Sequence, residues 1–285
     1  MRRPPAFFVL VSLMTLSLAF SGCRKGRIER PAAEQEGPNG SSDLRVLSAT
    51  PIGKTSGRME AGAVVVMFDR PMVALEALPE GRGKSLLKIE PQAGGKTRWL
   101  GSRTLVFTPE RRFPLASEFR VTVPAGTRAL DGSNLKEDFS WSFETPPPVL
   151  VRHFPEDKQK WLALDTQVLL VFNQAVDRDG ARAYVSLIEA DERGQEKKVD
   201  FRLVSPSPEK LKEEKLDISP DQALLLEPRE RLSPGCAYFV EVKQGLPSGE
   251  GPLRLEKSVR FGFETFQPFA FVGLDESERL SPSAQ

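Results

Sequence analysis

The chain repeats itself at long range, and this limits what it can fold into. Leu105-Val106-Phe107-Thr108-Pro109 returns as Leu224-Leu225-Leu226-Glu227-Pro228. Phe119-Arg120-Val121-Thr122-Val123 returns as Tyr238-Phe239-Val240-Glu241-Val242, and Phe143-Glu144-Thr145 as Phe263-Glu264-Thr265. These pairs stand 119 or 120 residues apart. Upstream, Val64 to Phe68 matches Val168 to Phe172, and Ser48-Ala49-Thr50-Pro51 lines up with Arg152-His153-Phe154-Pro155, both at an offset of 104. A period this long exceeds any solenoid unit and fits tandem domains, the second carrying an insertion of about 15 residues.

Each copy reads as short strands. Phe119, Val121 and Val123 alternate with Arg120 and Thr122, the signature of a half-buried antiparallel strand. Thr104 to Thr108 gives a second example, and Phe139, Trp141 and Phe143 a third. Ala63 to Phe68 is a continuous apolar run of strand length, dense in valine, which ends where Asp69-Arg70-Pro71 removes a ladder donor. Asp131-Gly132 marks a turn. Between residues 44 and 266 the one helical candidate is Pro208 to Asp217, a short helix or charged loop inside the insertion.

Seven or so strands per copy, punctuated by Pro and Gly, predict an all-β chain of two tandem immunoglobulin-like β-sandwiches, at residues 44–146 and 149–267. Pro146-Pro147-Pro148 is expected to act as a stiff, short hinge between them. After the second copy the sequence FETFQPFAFVGLD follows the pattern of FETPPPVLVRHFP at the same offset of 120. Residues 268–285 therefore read as a tail that starts a truncated third domain.

The first 23 residues stand apart. Arg2 and Arg3 precede an uncharged, mostly apolar run from Ala6 to Phe20, 15 residues long. That is short of the roughly 20 residues a membrane-spanning helix needs and suits a secretory leader. The run closes on Phe20-Ser21-Gly22-Cys23, which resembles a bacterial lipobox except that Phe20 stands where leucine is usual. Residues 1–23 are thus expected to be a lipoprotein signal peptide, with lipid on Cys23 after cleavage. Residues 24–43 are polar, rich in Pro, Gly and Ser, and read as a flexible tether. Once Cys23 is acylated, Cys236 has no intramolecular partner for a disulfide, so stability must come from burial.

Residue sets for chemistry are scarce. With 40 basic and 39 acidic residues, the balance gives no electrostatic case for nucleic acid. His153 is the single histidine, so any Ser–His or Cys–His nucleophile would have to run through it; it is expected to be a surface residue at a strand edge. Asp131, Asn134, Glu137 and Asp138 cluster near a turn and are read as polar turn residues rather than calcium ligands. Trp99 and Trp141 are expected in the core, and Cys236 is expected to be a small buried hydrophobe. No catalytic residue, cofactor, metal or small-molecule substrate is expected, and the chain is not predicted to be an enzyme.

The phrases FDRPMV, RWLGSRTLVFTPERRFP and FRVTVPAGTRALDG, closing in FSWSFET, resemble the N-terminal domains of bacterial α2-macroglobulin family lipoproteins. They are also similar to the S-layer (SbsA) type of bacterial Ig-like domain, and the likeness covers about residues 44–266. The resemblance implies a lipid-anchored scaffold of a protease trap in the cell envelope, facing the periplasm, with a protease or envelope protein as partner. Such traps use a bait region and, in many members, a C-x-E-Q thioester. This chain has no C-x-E-Q, since Cys236 is followed by Ala237-Tyr238-Phe239, so neither feature carries over. Arg24 after Cys23, in place of the aspartate of inner-membrane lipoproteins, favours the outer membrane by the family's sorting rule. The second reading is a standalone Ig-like surface lipoprotein for adhesion or envelope organisation.

Overall fold

The computed structural model describes residues 43–56, 62–74, 86–191 and 193–267. The leader with Cys23, residues 24–42 of the tether and the tail from residue 268 lie outside the described residues.

The first sandwich is built from β1 (Val46–Thr50), β2 (Gly53–Lys54), β3 (Val64–Phe68), β4 (Lys88–Glu90), β5 (Gly95–Leu100), β6 (Thr104–Pro109), β7 (Glu118–Val123) and β8 (Phe139–Glu144). Its two sheets run β1-β3-β6-β5 and β2-β8-β7-β4. Every named pair is antiparallel except β2 with β8. The alternation written in the sequence closes the space between the sheets: Val64, Val66, Phe68, Leu105, Phe107, Phe119, Val121 and Phe143 point inward into one core. Phe113 joins Phe119 and Phe143 in an aromatic cluster with centroids 4.7 and 5.3 Å away.

The second sandwich repeats this plan. It contains β9 (Leu150–Phe154), β10 (Gln159–Leu162), β11 (Val168–Phe172), β12 (Val185–Ala190), β13 (Glu196–Val199), β14 (Phe201–Val204), β15 (Ala223–Pro228), β16 (Ala237–Val242) and β17 (Val259–Thr265). The sheets run β9-β11-β15-β14 and β10-β17-β16-β12-β13, so β13 alone is new, and β10 lies parallel to β17 as β2 does to β8. Two short helices, α1 (Arg178–Ala181) and α2 (Pro208–Glu213), are added. The chain is therefore all-β, two tandem immunoglobulin-like sandwiches with separate cores.

Strand pairing resolves the single insertion into three changes. Ile89 and Leu187 face Val121 and Val240 at an offset of 98, so the segment before them is six residues shorter in the second copy. Gly95 and Phe201 pair with Pro109 and Pro228 at an offset of 106, which leaves eight extra residues for β13. The final thirteen bring the offset to 119 and carry α2. This helix starts at Pro208 behind Ser207, whose hydroxyl accepts the Lys210 N–H at 3.2 Å.

The repeated Phe-Glu-Thr closes both sandwiches by one device. Thr145 Oγ1 accepts the Ser117 N–H at 2.9 Å and donates to the Pro114 carbonyl at 2.8 Å. Thr265 Oγ1 accepts the Cys236 N–H at 3.2 Å and donates to the Ser233 carbonyl at 2.7 Å. Both threonines are buried, and in each sandwich one hydroxyl satisfies a backbone donor and a backbone acceptor.

Candidate functional site

Both sandwiches belong to one compact unit, which begins at Ser42. They are held by the loop between β6 and β7 of the first and the loop between β16 and β17 of the second. Arg112 grips Glu250 with both terminal nitrogens, at 2.5 and 2.8 Å, and the same carboxylate accepts the Leu115 N–H at 3.0 Å. Such a fork is charge-assisted and fixes orientation as well as distance. Burial pushes the Glu250 carboxyl up, but hydrogen bonds from Arg112 and Leu115 outweigh it and hold it below the usual carboxylate range. The Arg112 guanidinium is held above its ordinary value by that same hydrogen bond.

Beside the ion pair the two backbones touch. Leu253 N–H donates to the Ala116 carbonyl at 2.8 Å. A Cβ at Gly251 would overlap Ser117 Oγ and the Ala116 carbonyl and come within 2.5 Å of the Leu115 carbonyl, so only glycine fits. Ala116 is buried and left-handed at φ 54°, the place taken in the second copy by Gly235 at φ 68°. Lys54 on β2 reaches Glu256 at 2.8 Å, an exposed pair that contributes little by itself.

The linker of three prolines is hydrogen-bonded on both sides. Pro146 accepts the Ala116 N–H at 2.9 Å, and Pro147 accepts Asn173 Nδ2 at 3.0 Å. Asn173 Oδ1 takes the Val149 N–H at 2.9 Å, so the connection is tied to both sandwiches. A cleft of about 630 Å³ opens along the junction, with Pro91, Ala93, Phe113, Phe119, Arg111 and Pro252 among its lining.

The structure disperses the residues singled out in the sequence. His153 is half-buried rather than a surface residue. Its ring stacks on Phe261 at 3.6 Å, and Nδ1 lies 2.8 Å from the Pro155 carbonyl. In the first sandwich Ala49 and Trp141 hold these two places, and Trp141 Nε1 donates to the Pro51 carbonyl at 3.0 Å. One tryptophan has been split into a phenylalanine and a histidine that together fill the same space and meet the same carbonyl. His153 is thus occupied structurally.

Trp141 is buried, while Trp99 is half-buried at the rim of the core, 6.2 Å from Phe68. Cys236 is half-buried against the second core. Asp131 takes the Ser133 N–H and hydroxyl together with Arg70, which pull its carboxyl well below the usual range. Asp138 accepts the Ala125 N–H at 2.7 Å, and Asn134 forms backbone bridges with Asp43 and Arg128. Among the described residues no three His, Cys, Asp or Glu side chains gather in a way that could hold a metal ion.

One residue escaped sequence reasoning. β2 and β10 occupy equivalent places, yet Gly53 and Lys54 face Phe143 and Glu144 in step, while two residues, Lys160 and Trp161, separate the positions facing Phe263 and Thr265. Trp161 is the extra residue of this bulge, left-handed at φ 63° and 69% exposed. The distance from Pro51 to Val64 equals that from Pro155 to Val168, so the bulge leaves no trace in the alignment of the copies.

No family model matches the chain. It is 26% identical over 276 residues to an alpha-2-macroglobulin homolog of Nostoc sp. (strain PCC 7120 / SAG 25.82 / UTEX 2576), a match that covers 91% of this chain and 14% of that protein. Two solved structures are also similar. Native alpha-2-macroglobulin from Escherichia coli spanning domains MG0-NIE-MG1 is 11% identical with a TM-score of 0.27, covering 78% of this chain and 72% of that one. CopC from Methylosinus trichosporium OB3b is 21% identical with a TM-score of 0.29, covering 44% of this chain and 98% of that one. Over nearly all its length, then, this chain is homologous to about one seventh of a bacterial alpha-2-macroglobulin homologue.

Proposed function

We propose that this chain is a non-enzymatic scaffold of a macroglobulin-like protease inhibitor, anchored in the bacterial envelope by lipid on Cys23. The observation that carries the reading is the match to the Nostoc protein, which takes in 91% of this chain and a small share of the relative. A scaffold needs bodies that keep their shape under load. Two sandwiches with closed cores, joined by a bidentate ion pair, a glycine contact and a tied linker, supply that. The role needs no catalytic set, and the single histidine is committed to packing. With no C-x-E-Q in the chain, covalent capture of a protease belongs to other parts of the inhibitor. Its partners are the membrane, through the anchor, and those parts; its place is the periplasmic face, at the outer membrane.

The test is fractionation after expression in a bacterial host. The wild-type chain should enter detergent with the membranes, and Cys23→Ser should release it to the soluble fraction. The coding DNA beyond Gln285, or an adjacent frame, should encode a C-x-E-Q. Membrane retention of the Cys23→Ser variant would remove the anchor from the reading, and an unrelated downstream gene would remove the inhibitor.

A further inference from the structure

The surface by which the first sandwich holds the second is present again, without an occupant among the described residues, on the second. Arg112 corresponds to Arg231, Ala116 to Gly235 and Pro146 to Phe266. The correspondence is geometric as well as sequential. The Ala116 N–H donates to the Pro146 carbonyl, and the Gly235 N–H to the Phe266 carbonyl, both at 2.9 Å. Ala116 and Gly235 share the left-handed backbone, and both loops are locked by the threonine clamp. The two faces therefore have the same backbone frame.

They differ in what meets them. Arg112 lies in a bidentate pair with Glu250, whereas Arg231 is exposed and has no ion-pair partner among the described residues. The Ala116 carbonyl takes the Leu253 N–H from the neighbouring sandwich. Lys54 on β2 touches that neighbour through Glu256, and at the equivalent position β10 bulges to present Trp161. Trp161 and Phe266, 69% and 41% exposed, are the two aromatics among the large hydrophobics left exposed in the described residues. Both belong to this end of the second sandwich. An exposed tryptophan in left-handed backbone, beside an exposed phenylalanine and an unpaired guanidinium, has the composition of an interface core and its charged anchor.

We propose that Arg231, Gly235, Phe266 and Trp161 form a docking face for a further sandwich of this same repeat type. That sandwich meets Arg231 with a carboxylate and the Gly235 turn with a glycine, as Glu250 and Gly251 do for the first face. Trp161 and Phe266 are covered by its apolar rim. The inference stands on the repeat geometry, and it holds whether or not the inhibitor reading does.

The experiment extends the chain in register: residues 1–267 followed by a further copy of residues 148–267, with Trp161→Phe in that copy. Trp161 of the original, the most exposed of the three tryptophans that remain, then dominates acrylamide quenching, read against the unextended chain. Quenching of Trp161 should fall several-fold on extension. Arg231→Glu should restore it, and adding Glu250→Arg in the copy should protect Trp161 again. Unchanged quenching on extension, or charge reversals without mutual rescue, would overturn the docking face. So would an added copy that contributes no strand signal to circular dichroism, because that copy carries its whole core and lacks only a face to rest on. The lipid anchor and the downstream gene are not involved in these readouts, so failure here leaves the inhibitor reading to its own test.

Discussion

β3 and β11 occupy the same place in the two sandwiches and have nearly the same sequence, yet they are buried differently. β3 buries Val64, Val66 and Phe68, leaves Val65 half-buried and exposes Met67 to 41%. β11 buries all five residues. The difference arises outside the strands. In the second copy the longer β14–β15 connection lays α2 and the turn after it across the outer face of the sheet. Leu211, Leu216 and Ile218 then pack on Leu169, Val171, Ala223 and Leu225 as a second, smaller core. An apolar strand alone does not say whether its outer face is covered; here a thirteen-residue change elsewhere decides it.

The largest expected effect follows from that contrast. Leu211 is 3% exposed inside the small core, so Leu211→Ala should cost about 3 kcal/mol through lost burial and the cavity left behind. Met67→Ala, on the equivalent bare face, should stay within about 0.5 kcal/mol. Hydrogen exchange should show this directly, with amides of β11 and β15 losing protection in the first variant and those of β3 and β6 unchanged in the second. Equal losses would mean that the added layer does not stabilise the sheet it covers.

What could be read from the sequence follows the same division. Strand alternation at Phe119, Val121 and Val123 is a local signal, and it fixed both the β class and the inward face. The outer layer was not legible because PEKLKEEKLD is mostly charge, and only Leu211 and Leu216 mark the face that packs. Compensating pairs hide for another reason. Gly95 makes room for the Phe107 ring, while the second copy puts Phe201 and Leu226 in those places. Ala49 with Trp141 becomes His153 with Phe261 in the same way. Each member looks arbitrary until strand pairing brings its partner beside it. The Arg112–Glu250 fork joins residues 138 apart in loops of ordinary composition, so no spacing could have announced it.

Where the copies agree, they should respond alike. Thr145→Val and Thr265→Val keep the shape of the side chain but remove the hydroxyl. The Ser117 and Cys236 N–H groups and the Pro114 and Ser233 carbonyls then lose that partner. About 2 kcal/mol should be lost in each case, read from denaturant midpoints at unchanged slope. A large loss at one threonine and none at the other would show that the clamp is shared in form and not in energy.

The smallest effect tests the two end faces. Arg112→Ala leaves Glu250, whose side chain is 14% exposed, without its main cation, and should cost about 1–2 kcal/mol. Arg231→Ala, at the equivalent but exposed position, should cost nothing measurable in this chain. The Arg112 contribution should also depend on pH. Glu250 has its carboxyl lowered in the folded state, so its stabilisation is complete above the unfolded carboxylate value, near 4.5, and fades as pH falls through the lower folded value. The gap between wild type and Arg112→Ala should therefore be widest near neutrality and close in acid, while Arg231→Ala tracks wild type throughout. Two coincident acid profiles for wild type and Arg112→Ala would mean that the glycine contact and the linker hold the sandwiches together without the ion pair. Parallel losses from Arg112→Ala and Arg231→Ala would mean instead that the second end is already engaged within this chain, which would contradict the free docking face inferred for Arg231.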